Sequence, residues 1–236
     1  MRCPDRAGFR RVQRGAGLFE VIVGMVIGLV LLIALAYFFV GGRQVNRTTE
    51  DLSRIQESGR IAIELMGRAI RQAGYRTNPD VLFSGTTVTG TDGAAGAPDT
   101  VTVQYEAQQG GEANCVGTNV AAGALVTFLF AVDNVASPPT LTCNGTVVVD
   151  NIEDMQITYG IDADKDGNIE LYKTAPTAAE FAQVVAVRVT LLVRGPQTNT
   201  ATGTQTFTFN GASVTKTDGY LRRVYTATYA VRNQEG

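Results

Sequence analysis

From residue 21 to residue 40 the chain runs for twenty residues without a charged side chain, drawn mostly from Val, Ile, Leu and Phe. At ~1.5 Å per residue a helix of that length covers about 30 Å, the hydrocarbon thickness of a bilayer. A membrane-spanning helix is therefore expected. Arg2, Arg6, Arg10, Arg11 and Arg14 precede the run, and only Arg43 and Arg47 follow closely. This bias puts the N-terminus in the cytoplasm and the rest of the chain outside. A removable secretory signal fits less well, because the run exceeds a usual signal core and no small-x-small cleavage site ends it.

The same arginines dominate the charge balance. The first 15 residues hold five of them against Asp5, so without this segment the formal charge deepens from −2 to −6. An acidic chain with no basic stripe is poorly suited to general nucleic-acid binding, which depends on phosphate neutralisation. Histidine and tryptophan are absent from all 236 residues, which removes imidazole catalysis and the usual zinc sites. The length suits one globular domain with a sizeable core.

The apolar run is introduced by Arg14-Gly15-Ala16-Gly17-Leu18-Phe19-Glu20. A lone carboxylate at the border of a membrane helix is costly unless paired, although Glu20 also suits the positive end of a helix dipole. The arrangement resembles the class III signal of type IV prepilins. That resemblance implies cleavage after Gly15 by a prepilin peptidase, methylation of the new terminal residue Ala16, and Glu20 as the fifth mature residue. It further implies that the Glu20 carboxylate neutralises the terminal amine of a neighbouring subunit inside a filament, where an unpaired charge is expensive. Residues 1–15 then form a leader and 16–40 a transmembrane, filament-core helix. Gly24 and Gly28 complete a GxxxG on it, a small-residue face for close helix contact.

Helical periodicity continues past the apolar run. Leu52, Ile55, Gly59, Ala62, Met66, Ala69 and Ala73 recur at three- and four-residue steps, which places them on one face. The spacing predicts a single helix from about residue 17 to 73, ~85 Å long, with Gly41-Gly42 as a soft point and Gly74 as its end. Residues 41–75 are the amphipathic continuation. Their small seam residues are too slight for a free coiled coil, so the face is expected to pack on the chain's own sheet.

Three further stretches carry a sharper resemblance. Arg54-Ile55-Gln56-Glu57-Ser58-Gly59-Arg60 with its ending Arg71-Gln72-Ala73-Gly74-Tyr75, then Asn151-Ile152-Glu153-Asp154-Met155, and the closing Leu221-Arg222-Arg223-Val224-Tyr225, are similar to the PilW-type minor pilins. The resemblance implies an α+β, type IV pilin-like fold, with the long N-terminal helix packed on an antiparallel β-sheet. It also implies a part in an assembly-priming or tip complex. The partners would be other minor and major pilins, the prepilin peptidase and the inner-membrane assembly platform. The chain would begin as a single-pass inner-membrane protein with a periplasmic head, and later join the pilus at the cell surface. A minor pseudopilin of a type II secretion system and a tip adhesin are the competing readings.

Beyond Tyr75 the pattern changes to strands. Residues 100–106, 124–131, 146–149, 155–159, 183–193, 204–209 and 223–231 alternate or run apolar between Gly, Asn, Asp and Pro clusters. These make residues 76–236 a β-rich head, with 77–99 and 108–122 read as loops. With Cys3 in the leader, Cys115 and Cys143 remain as a pair, and an oxidising periplasm favours a disulfide over two free thiols. No enzyme is expected. Carboxylates such as Glu153 and Asp154 are the remaining candidates, and no nucleophile, base and orienting group assemble around them.

No cofactor is implied, with one reservation for calcium. In Asp162-Ala163-Asp164-Lys165-Asp166-Gly167-Asn168-Ile169-Glu170, carboxylates stand at positions one, three and five of an EF-hand-like loop. Glycine takes position six, Asn168 can offer a carbonyl at seven, and Glu170 is at nine. Position twelve is Lys173, where a bidentate glutamate belongs. A solvated Asp/Gly turn between two strands explains the same residues.

Overall fold

The computed structural model describes residues 17–78 and 80–233. Gly15, Ala16 and the rest of the leader lie outside them. The chain opens on α1, Leu18–Gln72, a 55-residue helix that passes through Gly41-Gly42 unbroken. It stops where the sequence predicts: Gly74 takes a φ of 72°, a left-handed conformation that glycine adopts without Cβ strain, and donates its N–H to Gln104 O at 2.9 Å. On the solvent face Glu50–Arg54 and Glu64–Arg68 pair one turn apart, each contributing a few tenths of a kcal/mol.

Two compact units divide the chain, one ending at Asn46 and one beginning at Arg47. The second unit therefore starts inside α1. Its helical part buries Asp51, Ile55, Gly59, Ala62, Met66, Gly67, Ala69 and Ile70, so the expected seam from Ile55 onward lies on the buried face, while Leu52 is only half-buried.

The strands are β1 (Val88–Thr91), β2 (Thr100–Glu106), β3 (Glu112–Ala113), β4 (Asn119–Val120), β5 (Leu125–Asp133), β6 (Thr140–Cys143), β7 (Thr146–Asp150), β8 (Ile152–Ile161), β9 (Leu171–Lys173), β10 (Val184–Arg194), β11 (Gln205–Phe209), β12 (Ala212–Lys216) and β13 (Arg222–Ala230). A short helix α2, Ala178–Phe181, precedes β10. The head holds two main sheets where one was expected. The first has the order β1-β2-β5-β6-β7 and the second β13-β10-β8-β9, with β3-β4 and β11-β12 as separate hairpins. Every pairing is antiparallel.

The switch between the sheets occurs at one residue. Asn151 separates β7 from β8 and sits at φ 68°, a left-handed conformation that asparagine tolerates better than most side chains. Its carbonyl accepts the N–H of Arg194 at 2.9 Å. Hydrophobic patterning marks both strands and gives no sign of the change of sheet.

The two sheets and the helix share one core. Ile55, Met66 and Ile70 from α1 meet Val101, Phe130 and Leu141 from the first sheet and Met155, Ile157, Tyr159, Val187 and Leu191 from the second. Full burial of such a side chain is worth about 1.5–3 kcal/mol. In β2 burial alternates strictly, Val101, Val103 and Tyr105 inward and Thr100, Thr102 and Gln104 less covered, as a strand with one buried face requires.

Asp99 stitches the sheets together. It is 1 % exposed; its N–H donates to Met155 O at 2.8 Å, and its carboxylate accepts the N–H of Ile157 at 2.7 Å and of Gly93 at 2.8 Å. The edge of β8 that β9 leaves bare is thereby satisfied by the residue that leads into β2. Burial pushes this carboxyl above its ordinary range, against the two N–H donors that hold it down.

Candidate functional sites: the apolar helix and the aspartate loop

Among the described residues, α1 is the one helix long and apolar enough to cross a membrane, with a mean hydropathy of 2.9 over its best window. No residue from Leu18 to Val40 is buried. Gly17 starts the helix, its carbonyl accepting the N–H of Glu20 at 2.9 Å. Glu20 thus occupies the first turn, where backbone N–H groups and the dipole favour a negative charge. Around Gly24 and Gly28 nothing comes within 4 Å of a built Cβ, so the small-residue face is open to another helix.

Cys115 and Cys143 form a disulfide with a Cα–Cα distance of 6.1 Å. It ties the stretch between β3 and β4 to the end of β6. That stretch, expected as loop, is a two-residue-strand hairpin closed around Asn114, whose side chain accepts the N–H groups of Val116 and Thr118.

The aspartate loop connects β8 to β9 and is closed as a hairpin: Ile161 pairs with Leu171, and Glu170 N–H donates to Ile161 O at 3.1 Å. One oxygen from each of Asp162, Asp164, Asp166 and Glu170 falls within 4.8 Å of all the others. Backbone conformation brings this about. Lys165 and Gly167 both take positive φ, 62° and 88°, folding the loop inward, and Gly167 N–H donates to Asp162 Oδ2 at 2.9 Å. Glu170 reaches back across the mouth to accept the Ala163 N–H at 2.8 Å. The amide side chain of Asn168 donates to Asp166 at 2.9 Å; with the Asn168 backbone N–H it holds the Asp166 carboxyl below its usual range. At position seven of the loop Asn168 can contribute through its backbone carbonyl.

Lys173 stands clear of the loop. It sits in β9 opposite Tyr159, and its ammonium pairs with Glu180 at the start of α2. Lys173 and the N–H of Thr177 hold the Glu180 carboxyl down at about 2. Thr177 and Glu180 also form a reciprocal capping box on α2. The Thr177-x-x-Glu180 spacing is a signal from which the capping box could have been read, whereas the pairing of Glu180 with Lys173 has no such signal.

The acids considered for catalysis have structural partners. Glu153 receives Arg222, whose side chain is 1 % exposed and whose guanidinium also grips Asp218, both at 2.6 Å. Asp154 is raised above its ordinary range by burial and accepts a hydrogen bond from Gln156. Both acids line an open cavity of about 500 Å³ with Arg194, Asn210 and Lys216.

Comparison with known proteins agrees with the architecture. No curated protein sequence matches the chain. Among solved structures, a type IV-like pilin from Thermus thermophilus superposes with a TM-score of 0.53 at 14 % identity, covering 77 % of this chain and 97 % of the other. At that identity the match speaks for the fold. The sequence model described as Type IV Pilus-assembly protein W matches residues 117–233, which hold the disulfide's second half, the aspartate loop and the second sheet. A pilin-like fold built on an apolar N-terminal helix thus carries a head whose residues 117–233 match the type IV pilus-assembly protein W family.

Proposed function

We propose that the chain is a minor pilin, cut after Gly15, held in the inner membrane by the first half of α1 with its N-terminus cytoplasmic, and then drawn into the priming or tip complex of a type IV pilus. The observation that carries this reading is α1 itself. One unbroken helix exposes an uncharged surface from Val21 to Val40 and, from Asp51 onward, buries a face in the β-rich head. The exposed half matches a bilayer while the subunit waits and the apolar interior of a helical filament afterwards. In that interior Glu20 is paired by the terminal amine of Ala16 on a neighbouring subunit, which turns an expensive lone charge into a device that fixes register. Its partners are other pilins, the prepilin peptidase and the assembly platform.

The test compares the wild type, a deletion strain and a Glu20→Ala strain. Deletion should reduce surface filaments and twitching. Subunit recovered from wild-type filaments should begin at Ala16 by mass. Glu20→Ala should enter the membrane at least as well, since it removes a charge, yet be depleted at least tenfold from sheared filaments. Filaments unaffected by deletion, with loss of exoprotein secretion instead, would assign the chain to a type II pseudopilus. Normal incorporation of the alanine variant would remove the register role.

A further inference from the structure

We propose that the loop from Asp162 to Glu170 is a calcium site, in which Asp162, Asp164, Asp166, the backbone carbonyl of Asn168 and Glu170 supply oxygen ligands to one ion. Clustered surface acids alone would not suffice, because water screens them. The decisive residue is Asp162. It is 4 % exposed; Oδ2 accepts the Gly167 N–H, and Oδ1 is buried with no hydrogen-bond partner. A buried carboxylate oxygen left unpaired loses its hydration and gains nothing in return. The other three carboxylates of the group approach this same side chain. A cation resolves both costs at once, satisfying the orphan oxygen and cancelling the mutual repulsion of four acids.

The loop differs from an EF-hand in a way that accounts for Lys173. After an EF-hand loop the chain enters a helix, which returns a glutamate at position twelve to the ion. Here the chain enters β9 at Leu171, and pairing of Leu171–Lys173 with β8 carries position twelve away along the sheet. The ligand set must close earlier. Glu170, the last residue before the strand, does so by folding back over the loop to Ala163. All donors are oxygens on a loop without helical rigidity, which suits calcium with its variable coordination better than magnesium, which demands a near-ideal octahedron. Without a bidentate position-twelve glutamate, affinity belongs in the range of extracellular modules, roughly 0.1–1 mM.

Occupancy would also be felt beyond the loop. Asp162 N–H donates to Gln183 O at 3.0 Å, so the first ligand is joined directly to the segment between α2 and β10. Fixing Asp162 fixes the start of the strand at the centre of the second sheet. None of this depends on assembly into a filament, so the site stands or falls separately from the minor-pilin reading.

The experiment uses the full chain in detergent, stripped with EGTA and then supplied with calcium, magnesium or chelator. Titration calorimetry should show one calcium per chain. At about 5 mM calcium the melting temperature should rise by roughly 2–8 °C, with a much smaller response to magnesium. Asp164→Ala should abolish both the heat and the rise. Asp162→Asn should also abolish them, and because it removes a buried charge while keeping an acceptor for Gly167, it should melt no lower than the wild type in chelator. Identical wild-type melting in calcium and EGTA would overturn the proposal without reference to any variant. So would a rise that survives in both variants, and an equal response to magnesium would overturn the assignment to calcium.

Discussion

At Gly67 the absence of a side chain is filled by a tyrosine. A Cβ built there would lie 2.5 Å from the Tyr229 ring, and one at Gly59 would lie 2.5 Å from Tyr225. The Tyr229 hydroxyl donates to Ile63 O at 2.8 Å, so this ring has little freedom to retreat. Alanine in a helix is favoured over glycine by ~1 kcal/mol, whereas overpacking costs about 1–3 kcal/mol. Gly67→Ala should therefore destabilise the head by up to about 2 kcal/mol in a urea melt, in place of the usual gain from that substitution in an exposed helix. Tyr229→Phe in the same background should recover part of the loss by freeing the ring. From the sequence Gly59 was legible as a seam residue, because it falls on the apolar period. Gly67 was not, because it lies beside that period and only the facing tyrosine gives it a role. Among the aspartates, the loop spacing named Asp162, Asp164 and Asp166, but nothing distinguished the buried one from the two exposed ones. That distinction comes from Gln183 and Gly167, which hold Asp162 under the turn.

At the scale of elements, the long or strictly alternating strands were readable to within two or three residues. The strands 88–91, 140–143 and 212–216 were not, being short and rich in Thr, Ser or Gly, and 171–173 is too short to carry an alternation, so that pairing with a neighbour and not their own pattern makes them strands. The ion cluster around β13 belongs to this scale too. Arg222 opens that strand and is gripped by Asp218 and Glu153, which outweigh the cost of its burial and raise its affinity for the proton. Arg222 in turn holds Asp218 down at about 2, from an ordinary 3.8. A lowered carboxylate pKa stabilises the folded state fully above the unfolded value and less as the pH falls through the folded one. Asp218 should thus contribute undiminished stability above pH 4 and lose it as the pH drops toward about 2. Because Asp218 is 44 % exposed, the effect is discounted for solvent screening. Denaturant midpoints of wild type and Asp218→Asn should converge over that window, and parallel pH profiles would show the pairing to be without consequence for stability.

At the scale of the whole molecule, the fold class follows from a helix succeeded by strands, while the partition into two sheets hinges on Asn151 and Asp99, single residues with no periodicity to announce them. The disulfide acts at this scale because it closes a stretch of 28 residues. In the chain-entropy description such closure stabilises by about 3–4 kcal/mol. Cys115→Ser with Cys143→Ser should lower stability by roughly that amount in oxidising buffer, and a reductant should destabilise only the wild type. An equal response of both proteins to reductant would remove the disulfide from the account.

The pairing of Gly59 and Gly67 with Tyr225 and Tyr229 also bears on timing. Eight residues of helix rise about 12 Å, and four residues of strand advance about 13 Å, so the two notches and the two rings share a spacing and engage together. Yet the Tyr229 hydroxyl and the Ile63 carbonyl it meets lie 166 positions apart, and β13 is the last of the described strands to be synthesised. While the ribosome is still making the loops ahead of β13, the helix seam has already emerged with its notches empty. The head cannot close on α1 until β13 has been delivered, which makes this strand the latch of the fold and gives whatever guards a nascent apolar seam its longest task at this one.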